Sequence, residues 1–236
     1  MPRSKTANRK ARALRPKPAS KSRTPKKTIA IYHEHPRWFV PVFAELDRRA
    51  IPYVRLDAAR HHFDISPNGH PQYGLVFNRM SPSAWTRGNA HAIFYTLSYL
   101  AHLEKQGTRV VNGSHAFRVE TSKALQLSLL ESLGLPHPRS VVINHPSQAV
   151  AAAEKLRYPI VVKPNIGGSG AGIVRFDSPE QLASAVQNNA IQLGLDSTGI
   201  VQEFIPARGG HITRVETLGY KYLYGIKVFT SGETFD

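Results

Sequence analysis

"KPNIGGSGAGIVRF", Lys163 to Phe176, sets four glycines and an alanine between a lysine and an apolar, β-branched run. Glycine lets backbone N–H groups converge on an anion with no Cβ in the way, so the stretch is a candidate phosphate loop. Two familiar forms fail here. A Walker loop needs Lys and then Ser or Thr directly after the last glycine, but Gly172 is followed by Ile173-Val174. A dinucleotide turn needs its glycines to open a helix, whereas Ile173-Val174-Arg175-Phe176 reads as a strand. What remains is strand, glycine loop, strand, with Lys163 closing the first strand. The plain alternative is a mobile hairpin tip.

The surrounding pattern alternates. Toward the N-terminus, strands are expected at Thr28–Tyr32, Tyr53–Leu56, Gly74–Met80 and Arg109–Val111, with helices at Trp38–Ala50 and Asn89–Lys105. Strands alternating with helices imply parallel pairing, so residues 28–112 read as a small Rossmann-like α/β domain. A leucine-rich helix is expected over Thr121–Leu133, ended by Gly134 and Pro136. Strands at Ser140–Ile143 and Ile160–Val162 flank a helix capped by Ser147. After the loop come a strand to Phe176, a helix capped by Ser178 with Pro179 at its first position, a strand at Ile200–Phe204, and a hairpin of His211–Leu218 with Tyr222–Phe229.

Composition narrows the function classes. The chain has 236 residues and a net charge of +15, and its first 27 residues hold 11 Lys or Arg and no acid. The remainder, with 20 bases against 16 acids, is nearly balanced. The basic arm 1–27 has Leu14 as its only large aliphatic residue after Met1, so it cannot offset the entropy of ordering and is expected to be disordered. It suits contact with nucleic acid or another acidic surface, an organelle presequence, or a solubilising tail. Cysteine is absent, which excludes disulfides, thiolate metal sites and a Cys nucleophile and makes a reducing, cytoplasmic compartment the expectation. No run of about 18 apolar residues suggests a membrane span.

The ordered set Ser122-Lys123, Pro159-Ile-Val-Val-Lys163-Pro164, Gly167-Gly-Ser-Gly-Ala-Gly172 and Val201-Gln-Glu-Phe-Ile205 resembles the ATP-grasp superfamily and, within it, the RimK-like glutamate ligases. No single element is specific; their order and spacing together are. The resemblance implies a Rossmann-like pre-ATP-grasp domain over 28–112 and an ATP-grasp domain over 113–236, with an α+β lid to about residue 205 and the start of a catalytic core. It implies ATP as cofactor, with Lys163 on the α- and β-phosphates, Lys123 beside it, and the lid Gly167, Gly168, Ser169, Gly170 folding over them. It also implies that Gln202, Glu203, Phe204 and Ile205 form the hinge that meets adenine. The reaction so implied activates a small carboxylate, or a protein C-terminus, as an acylphosphate and passes it to an amine.

The pattern departs from the family in places. After the hinge, RimK-like ligases carry an acid and then an arginine; here His211 and Thr213 stand at those positions, leaving His211 as the ribose candidate. Lys227 stands where a basic residue often faces the phosphates. The family binds magnesium through late carboxylates and a Glu-x-Asn arrangement, because clustered hard oxygens must bridge the phosphates. No Glu-x-Asn occurs, and only Glu216, Glu233 and Asp236 follow the hinge. The chain is therefore expected to stop inside the grasp domain, with magnesium ligands beyond Asp236, and no metal ligand is assigned within it. The alternative reading is a non-catalytic nucleotide-binding or nucleic-acid-associated protein using the basic arm.

Two other stretches sit where α/β domains place ligand loops. His33-Glu34-His35-Pro36 follows the first strand, but lacks a third ligand at metal-site spacing. Arg79, at the end of the third strand, suits bidentate pairing with a substrate carboxylate or a structural salt bridge.

Overall fold

The computed structural model describes residues 28–66, 73–168 and 170–229. The basic arm, part of the loop before the third strand, Ser169, Glu233 and Asp236 lie outside these residues. The fold is mixed α/β, with one parallel and two antiparallel sheets.

The N-terminal half is built on β1 (Ile29–His33), β2 (Tyr53–Asp57), β3 (Leu75–Asn78) and β4 (Val110–Val111), in the order β2-β1-β3-β4 and all parallel. β1 takes the interior place because Ala30, Ile31 and Tyr32 can be buried on both faces, as a parallel strand covered by helices requires. Helix α1 (Val40–Arg48) buries Phe43 against Ile31 and Phe39. On the other core, α2 (Ala90–Lys105) presents Ala92, Ile93, Thr96, Tyr99, Leu100 and Leu103, a helical stripe facing Tyr32 and Val76. The Tyr32 hydroxyl meets Thr96 Oγ1 at 2.9 Å, so the phenol is buried without losing its partner.

Between the halves the chain forms two helices where one was expected. Helix α3 (Ser114–Glu120) precedes α4 (Lys123–Ser132), and Ser122 is extended between them. Ser122 caps α4 by accepting from Leu125 N. Helix α3 carries only Phe117 into the core, too short a stripe for periodicity to register.

The C-terminal half holds β5 (Ser140–Ile143), α5 (Ala149–Ala153), β6 (Ile160–Pro164), β7 (Val174–Phe176), α6 (Pro179–Gln187) and β8 (Gly199–Glu203). The strands form an antiparallel sheet ordered β5-β8-β6-β7. One face, with Ile160, Val162, Val201 and Phe176, packs on Ala149, Ala152 and Leu182 of the two helices. Ser178 caps α6 as expected, but before α5 the cap is His145, whose ring accepts from Ser147 N. Finally, β9 (His211–Leu218) and β10 (Lys221–Phe229) pair as an antiparallel hairpin whose side chains are almost all exposed.

Candidate nucleotide-binding site

In a strand, alternate residues share a face. The register pairs Ser140 and Val161 with Gln202, Lys163 with Ile200, and Val161 with Arg175. These residues occupy the sheet face turned away from α5 and α6. Across it runs one chain of hydrogen bonds: Lys163 Nζ donates to Gln202 Oε1 at 2.6 Å, Gln202 Nε2 to Ser140 Oγ at 2.7 Å, and Ser140 Oγ to the Pro138 carbonyl at 2.8 Å. Each donor after the ammonium is thereby oriented, and Lys163 is held at one spot.

Lys123 joins it from the first turn of α4. Its Nζ donates to the Asn165 carbonyl at 3.2 Å. Burial lowers the affinity of both ammonium groups for their protons. For Lys163, burial and then the like charge of Lys123 push the pKa down to about 8; for Lys123 burial lowers it and Asp196 partly offsets the effect. Among the described residues neither lysine is in an ion pair. Two half-buried, like-charged lysines, with only the more distant Asp196 partly balancing Lys123, form a site short of negative charge.

Asn165, only 6% exposed, ties the start of the glycine loop to α4. Its Oδ1 accepts from Ser122 Oγ at 3.1 Å and Ala124 N at 2.9 Å, and its Nδ2 donates to Asp196 Oδ2 at 2.6 Å. The next residues lean on the other half. Ile166 enters the core of the parallel sheet, and a Cβ on Gly168 would lie 2.9 Å from Ser83 Cβ, so only glycine permits that approach. Beyond it Gly172 turns at φ +76° with Pro164 Cγ 2.8 Å from where its Cβ would be. The first part of the loop is thus docked on both halves. Ser169, at the tip, is outside the described residues.

At the hinge, two expected contributors, Glu203 and Phe204, have other partners. The Glu203 carboxylate accepts from Arg157 N at 3.1 Å and Arg157 Nη2 at 3.0 Å, which holds its pKa below the usual carboxylate range. The Glu203 N–H bonds to the Arg139 carbonyl and that of Phe204 to the Pro159 carbonyl, while the Arg175 guanidinium lies 4.7 Å from the centre of the Phe204 ring. Ile205 is exposed and borders an open cavity of about 620 Å³ with Pro138, Arg139 and Arg157.

Among the described residues, the contacts of His211 and Lys227 stay within the hairpin and the turn before it. His211 Nδ1 meets the Gly209 carbonyl and its ring lies 5.5 Å from that of Phe229. Lys227 pairs across the hairpin with Thr213 and is exposed. Arg79 is also exposed, its guanidinium 5.6 Å from the rings of both Phe39 and Phe77. Glu34, in the His-Glu-His stretch, is buried and held by Arg87 and Asn89; burial opposes its charge, but these bonds outweigh it and lower its pKa. Among the described residues no group of three His, Asp or Glu side chains could hold a metal ion, and no helix is long and apolar enough to cross a membrane.

Sequence reasoning missed Ser140 and Asn165. Ser140 becomes visible only through register with Gln202. Asn165, two residues after Lys163, gives no signal of its own because its partners are 31 to 43 residues away.

Comparison with known proteins bears on the same half. Residues 129–235 match the family model of the D-ala D-ala ligase C-terminus. The chain is similar to a probable alpha-L-glutamate ligase of Haemophilus influenzae (strain PittEE), 28% identical over 117 residues, which is 50% of this chain and 37% of that protein. The first curated relatives matched are spanned over only 23% to 37% of their own length. Among solved structures, the RimK domain ATP-grasp protein of Sphaerobacter thermophilus DSM 20745 superposes with a TM-score of 0.65 at 20% identity, over 85% of this chain and 72% of that one. The ATP-grasp ligase PsnB, solved with a phosphomimetic precursor variant, Mg and ADP, superposes with a TM-score of 0.60 at 19% identity, over 89% and 74%. The strand order and these likenesses converge: the C-terminal half resembles the D-ala D-ala ligase C-terminus, and the fold is that of the RimK domain ATP-grasp structure.

Proposed function

We propose that the Lys163–Gln202–Ser140 face binds ATP and that the protein is an ATP-dependent carboxylate–amine ligase, forming an amide or peptide-like bond through an acylphosphate. The observation that carries this is the pair Lys123 and Lys163, half-buried, like-charged and in no ion pair among the described residues. A polyphosphate supplies the missing charge. Lys163, pre-set by Gln202, meets the phosphates as a compact charge; Lys123 reaches the same group from α4; glycines 167, 168 and 170, with Ser169, close over it and exclude water. Adenine lies along the hinge, where the exposed Ile205 offers apolar surface and the backbone beyond Phe204 offers hydrogen bonds. His211, Lys227 and Arg79 remain candidate contacts for ribose, phosphate and substrate carboxylate.

Magnesium would supply charge neutralisation between the phosphates during transfer. The described residues hold no group of three His, Asp or Glu side chains that could bind it. That PsnB was solved with Mg and ADP supports magnesium as the metal of this reading, and the curated likeness to a glutamate ligase supports an amino acid or peptide end as substrate.

Calorimetric titration with ATP tests the reading. Binding should weaken by roughly 30-fold or more in Lys163→Ala, since a charge-assisted contact to phosphate is lost from a half-buried site. Equal affinity in the two proteins would remove Lys163 from the site.

A further inference from the structure

The 3₁₀ turn Pro82–Arg87 brings the parallel-sheet half up against the glycine loop. Within it, Trp85 packs on the core that includes Ile166, and its Nε1 is buried with no hydrogen-bond partner among the described residues. A buried donor left without an acceptor is destabilising, and such groups are rare in folded proteins unless something outside the chain satisfies them. The unsatisfied donor sits beside Gly167. A Cβ on that glycine would lie 3.5 Å from Lys123 Nζ, 3.8 Å from Trp85 Nε1 and 3.9 Å from the Ala171 carbonyl. Two donors therefore border the space that the missing side chain leaves. An oxygen placed there is within about 1 Å of hydrogen-bonding range of both nitrogens, and the ammonium selects for an anionic one. The Ala171 carbonyl, at the edge of this space, belongs to the turn 170–172 and would turn away from an entering anion.

We propose that Trp85 donates its indole N–H to a phosphate oxygen seated over Gly167 with Lys123, so that the parallel-sheet half supplies a direct contact to the nucleotide. This rests on the nucleotide reading of the Lys163 face. It also gives a reason for the docking of Gly168 on Ser83: the loop is held where the indole can reach the phosphates.

Trp85→Phe keeps most of the ring packing and removes the donor. Three probes separate the outcomes: ATP, inorganic tripolyphosphate and adenosine. The variant should bind ATP and tripolyphosphate about tenfold more weakly and adenosine as before. Gly167→Ala, whose methyl meets only ordinary van der Waals distances, should fold normally and lose the same two ligands by filling the space. In Trp38→Phe, where Trp85 is the one remaining tryptophan, tripolyphosphate should change the indole emission. Tripolyphosphate affinity unchanged in Trp85→Phe, with Lys163→Ala still impaired, would overturn the role of Trp85 and leave the site standing. Loss of ATP and adenosine alike, with a lowered melting temperature, would show a merely structural tryptophan and overturn it too. If the parent protein binds neither ATP nor tripolyphosphate, the site reading falls and Trp85 with it.

Discussion

The sheet β5-β8-β6-β7 and the hairpin β9-β10 are both antiparallel and both carry a lysine proposed as a phosphate contact, yet they are opposite in setting. Ile160, Ile200 and Val201 of the sheet are wholly buried, while Val215, Leu218 and Phe229 of the hairpin are 59%, 72% and 72% exposed. Two helices cover one face of the sheet; the hairpin's packing is chiefly strand on strand. An isolated two-stranded ribbon is marginal in water, so this difference should appear as a gradient of stability along the chain. It also separates the two lysines. Lys163 is fixed by Gln202 and desolvated, and so can discriminate for an anion; Lys227 is exposed on a ribbon.

The comparison breaks most easily at its core. Ile160→Ala should cost about 3 kcal/mol in unfolding free energy, whereas Val215→Ala should stay within about 0.5 kcal/mol; similar losses measured by denaturant unfolding would erase the contrast. Asn165→Ala should cost about 2 kcal/mol, because Ser122, Ala124 and Asp196 lose a buried partner. It should also weaken ATP binding, since the first turn of α4, which carries Lys123, loses its side-chain tie to the loop. A smaller effect follows from Lys163. Binding a phosphate requires its protonated form, and its pKa in the free protein is pushed down to about 8, so ATP affinity should be full below that pH and decline above it. In Lys163→Arg the decline should move to higher pH, and an unmoved profile would assign the titration to another group.

Much of this was legible in the sequence. Strand periods, the Ser178 cap and the glycine loop are local signals, and they located both antiparallel units. Local signals cannot rank burial: "HITRVETL" is rich in β-branched residues, as buried strands are, so the hairpin reads like any other sheet. The loop is legible as a glycine stretch between two strands, a candidate phosphate lid with a mobile tip as the plain alternative, but nothing local foretells Ile166 entering the other core or Gly168 resting on Ser83. Glu203 shows the same limit. Its position in the hinge motif was plain, but the Arg157 that takes up its carboxylate lies 46 residues earlier.

The most direct test of the central claim is amide chemical-shift mapping on addition of ADP. The account predicts shifts concentrated at Ser140, Lys163, Gln202 and residues 165–172, with residues 214–226 of the hairpin little changed. Shifts confined to the hairpin, with the Lys163 face silent, would contradict it.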